Sequence, residues 1–252
     1  MLKLKLGFIL LLLMKLTYAS QIIDWPLQQA NINTQDTASL QRGARNFMNY
    51  CAGCHSLRDI TYEQMAERIQ LWNSDQEIYT DLLKDNLIFT GASITDPINT
   101  AMTMKQATAW LGAMPPDLSL IAKIRGANWL YTYLNSFYPD AARPWGSNNL
   151  LLKNTAMPNV LLNLQGAQEI IYQQDGSHTI SHLVNSSTGT MNPEQFQQFT
   201  RDIVNFLVVV GTPPRHHKVE LGFWLELSLA FGLLIVYLIA KLSLITAREF
   251  KG

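Results

Sequence analysis

The sequence predicts a mainly α-helical exported domain followed by one C-terminal transmembrane helix, and three observations predict it. Apolar residues recur at helical spacing in the segment before Cys51 and again from Phe196 to Val210. A run of twenty residues from Leu221 to Ala240 carries a single charge, Glu226, and is long enough to span a bilayer as a helix. The first nineteen residues have the make-up of a secretory signal.

At 252 residues, the chain has room for one sizeable domain with additions. Its 19 basic and 19 acidic residues balance, so nothing suggests a nucleic-acid partner. The leader begins with Lys3 and Lys5, continues through the apolar stretch Gly7 to Met14, and closes on Thr17-Tyr18-Ala19. These are the charged, apolar and small-residue parts of a signal peptide, with cleavage expected after Ala19. Lys15 makes the apolar run too short for a comfortable span. The exported domain is then expected over residues 20–211.

An extended lead, 21–33, precedes a helix expected over Thr37 to Cys51, with Leu40, Ala44, Phe47 and Cys51 on one face. Residues 58–100 mix helical runs with acidic loops, eight acidic side chains against three basic ones. Pro115-Pro116-Asp117 reads as the start of a helix running through Arg125, and Trp129 to Phe137 as another. Residues 139–158 are rich in loop formers. A strand or hairpin is expected around Ile170 to Ile180, with Asp175-Gly176 as its turn. The last helix of the domain has explicit start signals: Asn192 as N-cap, Pro193 in the first turn and Gln195 completing a capping box. Phe196, Phe199, Ile203, Phe206, Leu207 and Val210 form its apolar face.

Gly211-Thr212-Pro213-Pro214 ends that helix and opens an expected linker, 212–220. The span, 221–240, has Trp224 and Tyr237 near its ends, where aromatic rings favour the membrane interface. Basic residues flank both ends, Arg215 and Lys218 before it and Lys241, Arg248 and Lys251 after it. The exported body therefore sets the orientation: domain on the periplasmic side of the inner membrane, tail 241–252 in the cytoplasm.

The chemistry lies in Cys51-Ala52-Gly53-Cys54-His55. The two cysteines are the only ones in the chain. The pattern C-x-x-C-H is the attachment signature of c-type haem. Each thiol can add to one porphyrin vinyl group, and the turn between them brings the imidazole of His55 beneath the iron. A thiol redox pair would be expected after a strand rather than an amphipathic helix. A zinc site completed by His178 and His182 would need ligands far more widely spaced than a zinc finger uses. A haem iron in an electron carrier commonly takes a second axial ligand, often Met. Met65, Met102, Met104, Met114, Met157 and Met191 follow His55. Met157, in a loop and followed by Pro158, has the best context, and Met191 is second.

Gly43 and Phe47, four residues apart before Cys51, resemble the N-terminal helix of class I cytochromes c, whose glycine face crosses the C-terminal helix. The expected partner is the helix 193–210. The longer blocks Cys51-Ala52-Gly53-Cys54-His55-Ser56-Leu57, Pro115-Pro116-Asp117-Leu118-Ser119 with Arg125, and Ala156-Met157-Pro158-Asn159-Val160-Leu161 are similar, in content and order, to the cytochrome c1 family. That resemblance covers nearly the whole mature chain. It implies a class I cytochrome c-like haem domain with loop insertions and one covalent haem c. Cys51 and Cys54 would form the thioethers, and His55 and Met157 would be the axial ligands. Arg125 would pair with a haem propionate, and Pro115 and Pro116 would line the pocket. It further implies a place in the bc1 complex of a respiratory chain, with cytochrome b as neighbour, a Rieske iron–sulfur protein as electron donor, a cytochrome c as acceptor, and a dimeric complex. Rivals are an anchored cytochrome feeding a terminal oxidase and an anchored thiol–disulfide oxidoreductase. The chain itself is an electron carrier; quinol oxidation belongs to the complex.

Overall fold

The computed structural model describes residues 25–75, 77–174, 180–212 and 215–249, with side chains of the final helix over 222–241. The signal peptide, the Asp175-Gly176 turn, His178 and the last residues of the tail lie outside the described residues. The chain divides into two compact units, 1–211 and 212–252.

In the first unit, α1 (Thr37–Tyr50) starts at Asp36, whose carboxylate accepts from the Ser39 N–H at 3.0 Å, so one of the orphan donors of the first turn is satisfied. Of the expected face, Leu40, Ala44 and Phe47 are buried, together with Gly43, while Cys51 caps the helix end and is half-buried. At the other end of the domain, α8 (Pro193–Val210) has the capping box expected of Asn192 and Gln195, with both reciprocal bonds formed.

These two helices cross, and the crossing is the centre of the fold. A β-carbon on Gly43 would overlap the carbonyl oxygen of Asp202 and come within 2.7 Å of Phe206 Cβ. Only glycine permits that approach. On either side of the contact, Phe47 packs on Phe206 with ring centroids 5.6 Å apart, and Tyr50 meets Phe199 edge-on at 5.3 Å. The crossing also has a polar seam. Asp202 is buried, and its carboxylate accepts from Arg42 Nε at 2.7 Å, Ser39 Oγ at 2.7 Å and Gln198 Nε2 at 2.8 Å. Asn205 Nδ2 donates to Ser39 Oγ at 3.0 Å and to the Asn33 carbonyl at 2.8 Å. A buried carboxylate is tolerable only with such a full set of donors.

The remaining elements wrap this pair. β1 (Leu57–Thr61) leads into α2 (Tyr62–Arg68), which opens with a capping box of Thr61 and Gln64. The Arg68 guanidinium donates to the Val209 and Val210 carbonyls and so closes the C-terminal end of α8. After α3 (Thr80–Leu87), β2 (Pro97–Ile98) pairs antiparallel with β1. Then come α4 (Met104–Leu111), α5 (Ile121–Arg125) and α6 (Ala127–Asn135). β3 (Phe137–Pro139) and β4 (Ser147–Asn149) form a small hairpin, and the single turn α7 (Leu162–Gln165) follows. β5 (Gln168–Tyr172) and β6 (Ile180–Asn185) form another antiparallel pair, close to the expected site.

Three expectations are corrected. The helix expected from Pro115 begins only at Ile121, because residues 115–119 are drawn into tertiary bonds with residues 55–59. The helix expected to reach Phe137 stops at Asn135, and Phe137 enters β3 instead. Residues 58–100 also hold a strand pair that the acidic pattern did not announce.

The second unit is one helix, α9 (Arg215–Glu249). The stretch expected as a linker is therefore helical from Arg215 onward. Within α9, Gly222–Lys241 is long and apolar enough to cross a membrane, and none of it is buried against protein. Within it the Ser228 hydroxyl donates back to the Leu225 carbonyl at 2.8 Å, which removes an unpaired donor from an apolar surface.

Candidate haem site

α1 delivers the cysteine pair. Its ladder ends with the Cys51 N–H on the Phe47 carbonyl at 2.8 Å, and the chain then turns on itself. The Cys54 and His55 N–H groups both donate to the Cys51 carbonyl, at 3.0 and 2.9 Å, so both thiols and the imidazole belong to one tight turn. Thr100 staples the turn: its hydroxyl donates to the Gly53 carbonyl at 2.8 Å, and its N–H to Ser56 Oγ at 2.9 Å. Nothing lies within 4 Å of where a Gly53 side chain would be, so the outer side of the turn is open.

Cys51 and Cys54 are both free thiols and half-buried. Burial, with a smaller contribution from Cys54, pushes the Cys51 thiol up to about 12, and burial also raises Cys54. A disulfide oxidoreductase needs the reverse, a thiol depressed toward neutral pH. Among the described residues, no group of three or more His, Cys, Asp or Glu side chains gathers that could hold a metal ion.

The block Pro115-Pro116-Asp117-Leu118-Ser119 is a clasp over the segment after the cysteines. The Pro116 carbonyl lies 2.8 Å from His55 Nδ1. A carbonyl can only accept, so Nδ1 carries the proton and Nε2 keeps a free lone pair. Burial lowers the His55 pKa against the opposing effects of the Pro116 carbonyl and Asp117. The imidazole is thus neutral at neutral pH, which is the form that binds a metal. Asp117 accepts from the Arg58 N–H at 2.9 Å and the Ser119 N–H at 2.8 Å. Ser119 Oγ accepts from the Asp59 N–H at 3.1 Å, and the Leu118 N–H donates to the Ser56 carbonyl at 2.9 Å. Pro115 is half-buried and Pro116 exposed.

Met157 sits in a different setting from the other candidates. Met65 is fully buried in the core, and Met191 packs against that core with its N–H on the Leu164 carbonyl. Met104 lies 64 % exposed. Met102 and Met114 are half-buried. Met157 is half-buried outside the core cluster, and its thioether is held by a polar group: the Tyr133 hydroxyl lies 3.5 Å from Sδ. Tyr133 Oη also lies 2.9 Å from Thr155 Oγ1, which accepts from the Met157 N–H at 3.3 Å. Burial, partly offset by the Thr155 bond, holds the Tyr133 phenol at about 12, so it is a neutral donor.

Tyr133 is the end of a stack. Its ring lies parallel to Trp129, with centroids 5.0 Å apart and planes 9° from parallel, and the Arg125 guanidinium lies 5.0 Å above the Trp129 ring. Arg125 is therefore joined to the Met157 side through α6, while Pro115 and Pro116 belong to the His55 side. Reading of the residue types named Cys51, Cys54, His55 and Met157, and the family resemblance added Arg125, Pro115 and Pro116. Both missed Ser56, Thr100, Asp117, Tyr133 and Thr155. Trp129 and Tyr133, four residues apart on α6, were the available sign of a shared helical face, whereas Arg125 ends α5 and reaches Trp129 across the break at Gly126.

Two thiols and an imidazole in one turn, with a thioether held outside the apolar core, form a donor set that fits a haem with two thioether bonds and two axial ligands. The comparisons point the same way. The model of the Cytochrome C1 family matches residues 25–246. A protein of Allochromatium vinosum named "Cytochrome c1" is 41% identical over 219 residues, covering 85% of this chain and 87% of that protein. A Nitrosomonas europaea protein named "Ammonia monooxygenase gamma subunit" is 39% identical over 216 residues, covering 85% and 86%. "Cytochrome c1 2, heme protein, mitochondrial" of Arabidopsis thaliana is 24% identical over 248 residues, covering 89% and 73%.

Proposed function

The chain belongs to the cytochrome c1 family, and from that premise we propose that Cys51 and Cys54 form the thioethers to its haem, with His55 and Met157 as the axial ligands. The family is the membrane-anchored haem subunit of the cytochrome bc1 complex, and its members carry one covalently bound haem c. The apolar helix Gly222–Lys241 fits a single span. The name borne by the Nitrosomonas relative carries no second function here: that protein matches the same share of this chain as the Allochromatium protein does, and we read its name as a label on another family member.

When bound, the haem supplies one-electron chemistry at its iron. The chain's residues set the terms of that exchange. The Pro116 carbonyl fixes the tautomer and orientation of His55 and raises the basicity of its free nitrogen. Asp117 holds the clasp to the backbone beyond His55, so the carbonyl that meets the imidazole is itself held in place. A Met157 thioether favours the ferrous state and raises the reduction potential relative to a harder ligand. The Arg125 guanidinium suits a propionate carboxylate in bidentate fashion, and Pro115 and Pro116 line the pocket. The electron arrives from a Rieske iron–sulfur protein and leaves to a cytochrome c. Cytochrome b is the membrane neighbour, the complex is dimeric, and the haem domain faces the periplasm.

The observation that carries this reading is His55 bonded through Nδ1 to Pro116, with its other nitrogen left free in the same turn as two free thiols. The test separates the two leading methionines. Met157→Leu is expected to keep covalent haem but lose the weak sulfur-to-iron band of the oxidised spectrum and resist reduction by ascorbate. Met191→Leu is expected to change neither. The opposite pattern would move the ligand to Met191.

A further inference from the structure

The hydroxyls around Met157 have a direction that can be worked out by counting protons. The Met157 N–H donates to Thr155 Oγ1 at 3.3 Å. Thr155 has one proton of its own to give, and the Tyr133 oxygen lies 2.9 Å away. Thr155 Oγ1 has a second lone pair and could accept from Tyr133, but its own proton would then have no acceptor among the hydrogen bonds of the described residues. With Thr155 donating to Tyr133, the phenol keeps its proton for Met157 Sδ at 3.5 Å. Both residues are buried, which leaves their protons little access to bulk water. The ring that carries the donor is held as well: it stacks on Trp129 and meets Phe137 edge-on at 5.1 Å. Backbone, threonine and phenol thus form a one-way relay that ends on the sulfur.

We infer that Tyr133 is a positioning residue for the haem iron, its hydroxyl donating to Met157 Sδ and raising the reduction potential through that sulfur. The inference rests on the reading of Met157 as an axial ligand. A thioether sulfur has two lone pairs, so it can give one to iron and accept a proton donor on the other. The donor draws density from the sulfur and presents the positive end of the O–H dipole toward the metal side. Ferric iron, with the greater positive charge, loses more by this than ferrous iron, and the potential rises. Hydrogen bonds to axial ligands are a recognised lever on haem potential. An oxygen donor on sulfur is a weak bond, so part of one net hydrogen bond sets the scale. Removing it should change the ferrous-to-ferric ratio at fixed ambient potential roughly threefold, about 28 mV at 59 mV per tenfold.

The experiment is a redox titration of the haem-loaded full chain in detergent, comparing wild type, Tyr133→Phe, Met157→Leu and the double variant. Tyr133→Phe removes one oxygen and keeps the stacked ring, so covalent haem and thermal unfolding serve as controls on the fold. Its potential should fall about threefold in ratio, with the sulfur-to-iron band still present. In the Met157→Leu background the same change should have no further effect. A Tyr133→Phe potential that is unchanged or higher overturns the inference, and so does an equal fall in both backgrounds. Persistence of the sulfur-to-iron band in Met157→Leu would instead overturn the ligand reading, which separates the two failures.

Discussion

Replacing Gly43 with alanine tests the helix crossing, because the two possible roles of this glycine predict opposite signs. If it were an ordinary residue within α1, alanine would stabilise the helix by about 1 kcal/mol through its better propensity. At this crossing the added methyl would meet the Asp202 carbonyl oxygen, with Phe206 Cβ at 2.7 Å. A backbone carbonyl cannot rotate away as a side-chain tip can. Overpacking costs about 1–3 kcal/mol, and the backbone contact places this case near the upper end. The separation of α1 and α8 would also loosen the Phe47–Phe206 contact and the Arg42–Asp202 pair. Net destabilisation should be about 2 kcal/mol after the propensity gain is subtracted. For a domain of this size that lowers the melting temperature by roughly 4–8 °C. Thermal unfolding of the haem-loaded protein, followed by far-ultraviolet circular dichroism, reads the change directly. A melting temperature equal to or above that of the parent would refute the close approach.

Three further outcomes are expected. Replacing Cys51 and Cys54 together with serine should leave no haem on the polypeptide in a denaturing gel stained for haem peroxidase activity. Protease added to spheroplasts should remove the haem domain and leave the segment around α9 in the membrane, whereas a protected domain would reverse the orientation. Electron transfer to a basic cytochrome c should slow as salt rises, since exposed charges are screened over about 10 Å at moderate ionic strength. Neutral replacements of the exposed Asp75, Glu77, Asp81 and Asp85 should remove most of that salt dependence, and an unchanged profile would put the docking face elsewhere.

The parts of the fold that could be read in advance are those with local signals. α8 carries its own start in Asn192-Pro193-Glu194-Gln195, and α1 carries its burial pattern in the spacing of its apolar residues. The membrane helix is announced by composition alone. What was misread depended on distant partners. Pro115-Pro116-Asp117 has the composition of a helix start, but its carbonyl and carboxylate serve His55 and Arg58, some sixty residues away. The two residues of β2 form a strand only because Leu57 and Thr61 are there to pair with them. At the haem site the thiols and imidazole were legible because their chemistry requires fixed spacing. Tyr133 and Thr155 were not, because a tyrosine in an aromatic helix and a threonine in a loop are ordinary until their bonds to Met157 are seen.

The crossing of α1 and α8 also bears on the order in which the domain can assemble. Arg42 and Asp202, which meet there, are 160 positions apart in the chain. A ribosome working from the N-terminus at about 5–20 residues per second would need roughly ten to thirty seconds to supply that interval. Contacts between such distant segments form late, because a long loop must close before they contribute anything. The cysteine turn comes off the ribosome early, at the end of the first helix, and its closing helix is among the last parts of the domain to follow. Until α8 has been made, α1 and the two thiols that follow it have no partner helix to pack against.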